Sequence, residues 1–157
     1  MLQGGKGSSG QGADTRIKFP ALWVSQNLVG SINSLHRECS RLALRKGFYK
    51  NLRLIDSMSH EFQIADVRKI RMLPPKPSFG SVLGYLTGNP HFQVELIFAP
   101  EPPETLSLAQ VKDIIFNSFR QEKYSWEAMI DFDDFRDKIS AASSLNDIFA
   151  IFGGYHV

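Results

Sequence analysis

The clearest hydrophobic pattern lies in the last third of the chain, between residues 107 and 152. Ser107 and Gln110 have the spacing of a capping box, in which each side chain bonds the backbone of the other residue. This spacing predicts a helix over residues 107–121. One face of that helix would carry Leu108, Val111, Ile115 and Phe119.

Two shorter helical patterns follow. The first has apolar residues at spacings of three and four, the period of one helix face. They are Phe132, Phe135, Ile139 and Ala142. Ser143 or Ser144 can cap a last helix, which is predicted to end at Gly153 and Gly154. Its apolar residues are Leu145, Ile148, Phe149 and Phe152.

A similar stripe near the N-terminus predicts a first helix that ends at Gly47, a typical C-terminal cap. The stripe consists of Leu28, Ile32, Leu35, Cys39 and Leu42. Residues 1–16 are rich in Gly, Ser and Gln and contain almost nothing to bury, so they are predicted to be a disordered tail. Residues 17–157 are then expected to form a single domain.

Strand patterns occupy residues 49–55, 61–72, 79–86 and 91–98. The second pattern slips register between Ile64 and Val67, which predicts a β-bulge. Turns are predicted at residues 56–59 and 87–90, and the prolines of residues 74–77 predict a stiff loop. Short connections favour antiparallel pairing. The expected fold is α+β: an N-terminal helix, a roughly four-stranded antiparallel sheet, and C-terminal helices packed on one face.

Composition and charge narrow the classes of function. The single cysteine excludes an internal disulfide, no apolar run could span a bilayer, and residues 2–12 lack the apolar segment of a secretory signal. These features favour a cytoplasmic protein without a membrane partner. Residues 1–100 hold 13 basic and 6 acidic residues, a charge of +7, whereas residues 101–157 hold 5 and 10, a charge of −5. This asymmetry either points to charged partners or reflects acids on helices and bases on strands.

An acidic cluster near residue 130 is the first candidate site. Its carboxylates suit the first turn of a helix, where negative charge is favoured. They also suit a protein-binding surface, with Trp126 as its anchor. The binding prediction requires that the acids be exposed on one face rather than paired with Arg136 and Lys138. The predicted partner-binding residues are Trp126, Glu127, Asp131, Asp133, Asp134 and Asp137.

A basic run on the predicted first helix is the second candidate. Arg37, Arg41 and Arg45 would lie along one ridge because they are spaced by four residues. The run continues through Lys46, Lys50 and Arg53. It suits a nucleic-acid surface. The interleaved aromatic residues of RNA-binding strands are absent, however, so nucleic acid is not the expected partner and a solvated helix face is the more typical interpretation.

The chain shows no catalytic or metal-binding signature. His36 and Cys39 have a helical spacing, but Cys39 falls in the apolar stripe, where a free cysteine behaves as a small hydrophobe. The acidic cluster lacks the glycine and closing glutamate of a calcium loop. His60, His91 and His156 are isolated from any nucleophile in the sequence. We therefore predict no enzyme activity, no metal and no cofactor, while a hydrolase or transferase site assembled by the fold stays open as an alternative.

Two stretches of the chain carry a combination of motifs. Residues 52–67, LRLIDSMSHEFQIADV, have the pattern of a strand–turn–strand unit. Residues 106–152 combine a Ser-Leu helix cap, a Trp in the connection, and an Ala-Ser-Ser-Leu cap before the last helix. Both stretches resemble bacterial immunity proteins of contact-dependent growth inhibition and other polymorphic toxin systems.

The resemblance implies a cytoplasmic, non-enzymatic protein. It would bind the C-terminal domain of one cognate toxin, often a nuclease, and occlude its active site or substrate surface. The families share no universal functional residues, and the common pattern is acidic. This slightly positive chain would meet a basic toxin with its acidic third, or an acidic toxin with Arg37, Arg41 and Arg45. The alternative function is a nucleic-acid-binding or regulatory module that uses the basic face of the first helix.

Overall fold

The computed structural model describes residues 16–25, 29–35, 38–47, 49–121 and 131–155, and within these ranges it is an α+β fold, as predicted. The strands are β1 (Ala21–Val24), β2 (Val29–Ile32), β3 (Glu38–Ser40), β4 (Arg53–Asp56), β5 (His60–Met72), β6 (His91–Phe98) and β7 (Glu104–Thr105). The helices are α1 (Arg41–Arg45), α2 (Phe79–Leu86), α3 (Leu108–Gln121), α4 (Phe132–Ala141) and α5 (Leu145–Tyr155). Apart from Arg16, the predicted tail lies outside the described residues.

All strand pairs are antiparallel, as predicted, and the long strand β5 joins the two halves of the sheet. The strand order is β2-β1-β4-β5-β6-β3, and β7 pairs with the start of β5. The first half of β5 pairs with β4, and its second half pairs with β6. A bulge at Ala65 separates the halves, which confirms the irregularity predicted between Ile64 and Val67.

A second bulge in β5 has Ile70 as its extra residue. Lys69 pairs with Val94, while Arg71 pairs with the neighbouring Gln93. Adjacent residues of a strand point to opposite faces of the sheet. The bulge therefore places Lys69 and Arg71 on opposite faces, although they are two residues apart.

The three C-terminal helices form one layer on the sheet and confirm the stripes predicted from the sequence. The ring of Phe135 lies at the centre of this core, 5.4 Å from the ring of Phe119 and 5.2 Å from that of Phe152, edge to face. From the sheet, only β1, β2 and β4 contribute to it. Its buried residues are Leu22, Val24, Val29, Ile55, Leu106, Val111, Ile115, Phe119, Phe135, Ile139, Ala142, Ile148, Phe149 and Phe152.

The predicted caps of α3 and α5 are confirmed. The backbone N–H of Ser107 donates to the Gln110 side chain at 2.7 Å, and the backbone N–H of Gln110 donates to the Ser107 hydroxyl at 3.2 Å. The backbone N–H of Asp147 donates to the Ser144 hydroxyl at 3.1 Å. Hydrogen bonds from Ser143 and Ser144 hold the pKa of Asp147 below its usual range, so this cap is charged at neutral pH.

The opposite face of the sheet holds a smaller core. Its buried residues are Ile17, Ala21, Leu54 and Phe62. Neither core contains a residue of β3 or of the second half of β5. We call β3, β6 and residues 64–72 of β5 the outer sheet. The helical layer does not extend over it, and two elements, α1 and α2, follow from its strands.

The predicted first helix is wrong, because residues 29–32 form β2, residues 38–40 form β3, and only residues 41–45 form the short α1. Gly30 pairs with Trp23 of β1, and an added Cβ at Gly30 would lie 2.5 Å from the indole Nε1. Val29 packs into the core of the helical layer. Glycine disfavours a helix and the β-branched valine suits a strand, so pairing with β1 outweighs the helical spacing.

The predicted strand over residues 79–86 is also wrong, because this segment is α2. Phe79, Val82, Leu83 and Leu86 have the i, i+3, i+4, i+7 spacing of one helix face. Ser78 caps the helix by accepting a hydrogen bond from the backbone N–H of residue 81 at 3.3 Å. Gly80 and Gly84 interrupt both the helical and the strand pattern, so the sequence alone did not distinguish the two.

The bounds of β4 and of α5 differ from those predicted, and the bounds of β6 agree with them. The strand expected at residues 49–55 begins at Arg53 and ends at Asp56. Helix α5 continues through Gly153 and Gly154 to Tyr155. Residues 91–98 form β6 with the predicted bounds.

The buried carboxylate of Asp56 fixes the turn between β4 and β5. Its Oδ1 accepts hydrogen bonds from the backbone N–H groups of Met58 and His60, both at 2.9 Å. Its Oδ2 accepts from the backbone N–H of Lys18 at 3.2 Å. Asp56 is 0% exposed. One side chain therefore joins the entry to β1, the turn at residues 56–59 and the start of β5.

Replacing Asp56 with alanine tests this role. We expect Asp56→Ala to lower the free energy of unfolding by about 2–4 kcal/mol, because three part-buried backbone donors lose their acceptor and water replaces only part of these bonds. Urea unfolding should show a lower midpoint with an unchanged slope. The control is Asp113→Ala on the exposed side of α3. Equal midpoints for the two variants would contradict the assignment.

The crowding under Trp23 can be tested with two glycines. Gly30→Ala should destabilise the fold by about 1–3 kcal/mol, the usual cost of overpacking. Gly153→Ala should raise the free energy of unfolding by about 0.5 kcal/mol, because a Cβ there meets nothing within 4 Å in α5. Thermal unfolding of both variants measures the contrast. A Gly30→Ala variant as stable as the parent would show that the indole moves aside freely.

Candidate functional site

The structure places four of the six predicted partner-binding residues. Asp131, Asp133, Asp134 and Asp137 are exposed at the start of α4. Trp126 and Glu127 lie outside the described residues, and so does the rest of the connection between α3 and α4. Asp131 caps α4, since its carboxylate accepts a hydrogen bond from the backbone N–H of Asp134 at 3.3 Å.

The other three acids form ion pairs within α4. Arg136 lies 3.2 Å from Asp133 and 3.4 Å from Asp137, and Lys138 lies 2.7 Å from Asp134. The binding prediction required these acids to be free of pairing with Arg136 and Lys138, and they are paired with them. Exposed pairs of this kind are weak and a partner can displace them. Partner binding by these acids therefore stays a prediction, but their geometry is that of a helix start.

The predicted basic run is divided by the fold. Arg37 lies outside the described residues, and Arg53 is paired with Glu61 at 2.7 Å. Arg41 and Arg45 both lie on α1, at its two ends. The ridge of three arginines along one long helix therefore does not exist, and the remaining cations take a different arrangement.

A cleft of about 280 Å³ separates α1 and the turn after it from β5. Four cationic side chains line it: Arg41, Arg45, Lys50 and Lys69. The remaining lining residues are Leu44, Gly47, Tyr49, Ala65, Asp66 and Val67. We call this site the basic cleft. Sequence analysis missed it because Lys69 is far from α1 in the chain and reaches the cleft only through the β5 register.

Beside the basic cleft, two of its cations lie over one aromatic ring. The guanidinium carbon of Arg41 is 5.9 Å from the centroid of Phe92, and the Nζ of Lys69 is 5.0 Å from it. Arg41 also donates to the carbonyl oxygen of Gly88 at 3.4 Å. These contacts hold the cations in place without neutralising them. Gly47, with φ +67°, provides the left-handed turn after α1 that brings Lys50 to the cleft.

The charges of the basic cleft are largely uncompensated. In the part of the chain that the structure describes, none of its four cations forms an ion pair. Asp66 is the one carboxylate among its lining residues. The Asp66 side chain accepts a hydrogen bond from the neighbouring backbone N–H of Val67 at 2.8 Å. A small anion could therefore meet several free donors at once.

Helix α2 presents an apolar surface without a cover. None of its eight residues is buried. Phe79 is 84% exposed and Leu86 is 76% exposed. The helix is held at its ends instead: Ser78 caps the start, and the Thr87 hydroxyl donates to the carbonyl oxygen of Leu83 at 2.8 Å. Sequence analysis missed this surface because it predicted a strand here.

His60 lies beside the carboxylate that fixes the β4–β5 turn. His60 Nδ1 lies 3.6 Å from Asp56 Oδ2, but that carboxylate already serves three backbone donors. No histidine lines the basic cleft or the clefts beside β7 and α4. The described residues contain no group of three or more His, Cys, Asp or Glu side chains that could hold a metal. His36 and His156 lie outside those ranges.

Cys39 is buried in β3, in agreement with its interpretation as a small apolar side chain. Burial raises the pKa of its thiol, and a hydrogen bond with Tyr49 opposes this only in part. Burial also raises the pKa of the Tyr49 phenol, and Cys39 raises it further. Both groups are therefore neutral at pH 7, and the thiolate needed for nucleophilic chemistry is scarce.

Comparison with known proteins identifies no relative. No family model, no curated protein and no solved structure matches the chain. No helix among the described residues is both long and apolar enough to cross a membrane.

Alkylation of the thiol tests the environment of Cys39. In the folded protein at pH 8, iodoacetamide should react with Cys39 at least about tenfold more slowly than in urea, because burial suppresses the thiolate and blocks access. Mass spectrometry over time gives both rates, and the unfolded chain is its own control. Equal rates would mean that Cys39 is accessible and reactive.

Proposed function

We propose that this chain is a non-catalytic immunity protein that binds and neutralises the toxin domain of a partner protein, with α2 at the centre of the binding surface. The resemblance of residues 52–67 and 106–152 to immunity proteins gives the class of function. The exposed apolar side chains of α2 carry the proposal, because they give the chain a place to bind.

A helix of two turns with exposed apolar side chains gains little stability from the rest of the chain, and a partner that covers these side chains would stabilise it. Isolated helices of this length are unstable in water. Here the caps at Ser78 and Thr87 hold the helix, and its apolar residues face solvent. Exposed apolar patches of this kind mark interaction surfaces. A large aromatic side chain such as Phe79 is a typical anchor at the centre of an interface.

The proposed surface extends beyond α2. A stable interface covers about 800 Å² on each partner, more than two helical turns provide. Exposed apolar residues adjoin both ends of the helix: Met72 precedes it in the chain, and Leu42 is tied to the turn after it. The backbone N–H of Leu42 donates to the Asn89 side chain at 2.8 Å. Each is about half exposed.

Charge defines the chemistry of the proposed partner. The segment from residue 73 to residue 90 carries one charged side chain, Lys76, which is paired with Glu38 at 3.0 Å. Arg41 lies next to the end of α2, because its guanidinium donates to the carbonyl oxygen of Gly88 at 3.4 Å. A partner with an apolar centre and an acidic edge fits this surface, since complementary charges speed and orient association. Binding there would neutralise the toxin by covering its active site or substrate surface.

The alternative, a nucleic-acid-binding or regulatory module, depended on a basic face along the first helix. That helix is absent, so the ridge of three arginines is absent as well. Its two described members, Arg41 and Arg45, now belong to the basic cleft. The alternative therefore reduces to what that cleft can bind.

Substitutions in α2 test the proposed interface. The double variant Phe79→Ser with Leu86→Ser should weaken partner binding at least about thirtyfold, since an interface anchor contributes 2 kcal/mol or more. Met58→Ser is the matched control, because Met58 is 62% exposed on the turn before β5. The parent protein should retain a single stoichiometric partner from a lysate of the source cells at high salt. The double variant should lose that partner, and the control should keep it.

A growth assay decides whether the partner is a toxin. Expression of the captured partner's domain should stop growth of a host cell, and co-expression of the parent protein should restore it. The double variant should fail to restore growth while keeping the circular dichroism spectrum of the parent. A harmless partner would overturn the immunity function, and full protection by the double variant would overturn the role of α2.

A further inference from the structure

The proposed function uses only Arg41 of the basic cleft, at the edge of the α2 surface, so the cleft can bind a separate ligand. Four basic residues line a cleft of about 280 Å³, and none of them forms an ion pair among the described residues. All four side chains are exposed, so solvent screens part of the repulsion between their like charges. An anion bound in the cleft would relieve the repulsion that remains. A ligand of charge −2 relieves more of this repulsion than a carboxylate of charge −1.

The types of side chain favour a phosphate group. A guanidinium presents several N–H donors in a fixed fork that suits phosphate oxygens, and ammonium groups add mobile point charges. Arg41 and Arg45 provide the first kind of group, and Lys50 and Lys69 provide the second. The contacts of Arg41 and Lys69 with Phe92 fix two of the four cations before a ligand arrives.

The surroundings favour a small ligand over a nucleic-acid strand. Strand-binding proteins extend a positive groove along the backbone and stack bases on aromatic side chains. Two cations beyond the cleft are neutralised, since Arg53 pairs with Glu61 and Arg68 with Glu95. Arg71 lies on the opposite face of the sheet from Lys69, and Lys46 adjoins the cleft without an ion pair among the described residues. The Phe92 ring is occupied by two cations rather than by a base.

We propose that the basic cleft binds the phosphate group of a small phosphorylated compound that also carries hydroxyl groups, such as a sugar phosphate. The phosphate lies among the four cations. Asp66, which would repel a bare phosphate, accepts a hydrogen bond from a ligand hydroxyl. The cleft is close to the lower end of the size range of small-molecule sites, which suits a ligand of this size.

Calorimetric titration at constant ionic strength tests the proposal with four probes. These are ribose 5-phosphate, ribose, inorganic phosphate and a short single-stranded oligonucleotide without terminal phosphates. Ribose 5-phosphate should bind with a Kd below about 1 mM, inorganic phosphate more weakly, and ribose not at all. The absence of saturable binding by ribose 5-phosphate would overturn the proposal. Tighter and strongly salt-dependent binding of the oligonucleotide would assign the cleft to nucleic acid and also overturn it.

Variants locate the ligand. Arg45→Gln and Lys69→Gln should each weaken ribose 5-phosphate binding at least about tenfold, because each removes a charge-assisted hydrogen bond. Arg120→Gln on the exposed side of α3 is the control, since it changes the net charge equally and should have no effect. Equal weakening by all three variants would show a non-specific charge effect. Urea unfolding confirms that each variant is folded.

The Asp66→Asn variant tests the role of the hydroxyl group. It should bind inorganic phosphate more tightly than the parent does, since a repelling charge is removed. Its amide oxygen still accepts from the ligand hydroxyl, so it should keep part of the parent's preference for ribose 5-phosphate, which Asp66→Ala should abolish. An unchanged ratio of the two affinities would overturn the contact between Asp66 and the sugar. Neither titration involves α2, so this proposal and the proposed immunity function can fail independently.

Discussion

The sheet depends on a single buried carboxylate. Asp56 closes the β4–β5 turn through two backbone donors and holds the entry to β1 through the N–H of Lys18. These bonds align β4 between β1 and β5, and the first half of β5 in turn aligns β7. The turn also lies next to the start of the helical layer, because the backbone N–H of Leu106 donates to Ser59. The Asp56 carboxylate can be buried here because both of its oxygens accept hydrogen bonds from backbone N–H groups.

The molecule combines a well-packed half with a half that is left open. Helices α3 to α5 cover β1, β2 and β4, and the side chains of Phe119, Phe135 and Phe152 are buried between them. The outer sheet lacks such a layer and ends in α1 and α2, which carry the basic cleft and the apolar surface. This division suits a binding protein, because the packed half supplies stability and the open half can present side chains that do not contribute to it.

The parts that sequence analysis predicted well are those specified by neighbouring residues. The caps at Ser107 and Ser144 and the stripes of α3 to α5 involve residues within four positions of each other, as does the alternation of β6. The prediction of the first helix was wrong because Gly30 pairs with β1 and Val29 packs into the helical layer. The local spacing of residues reveals neither contact. The basic cleft was not predicted for the same reason, since Lys69 comes close to α1 only in the folded chain. The helical spacing of α2 is present in the sequence, but Gly80 and Gly84 obscured it.

The bulge at Ile70 has a consequence for how this protein can diverge. It is a one-residue insertion in β5 that assigns Lys69 to one face of the outer sheet and Arg71 to the other. One added residue in β6 opposite Ile70 would restore the regular alternation, and the two basic side chains would then share a face. A change of length at this position therefore redistributes surface charge more than most substitutions can. Descendants of a common ancestor could acquire different ligands or partners through such an indel while keeping the same core.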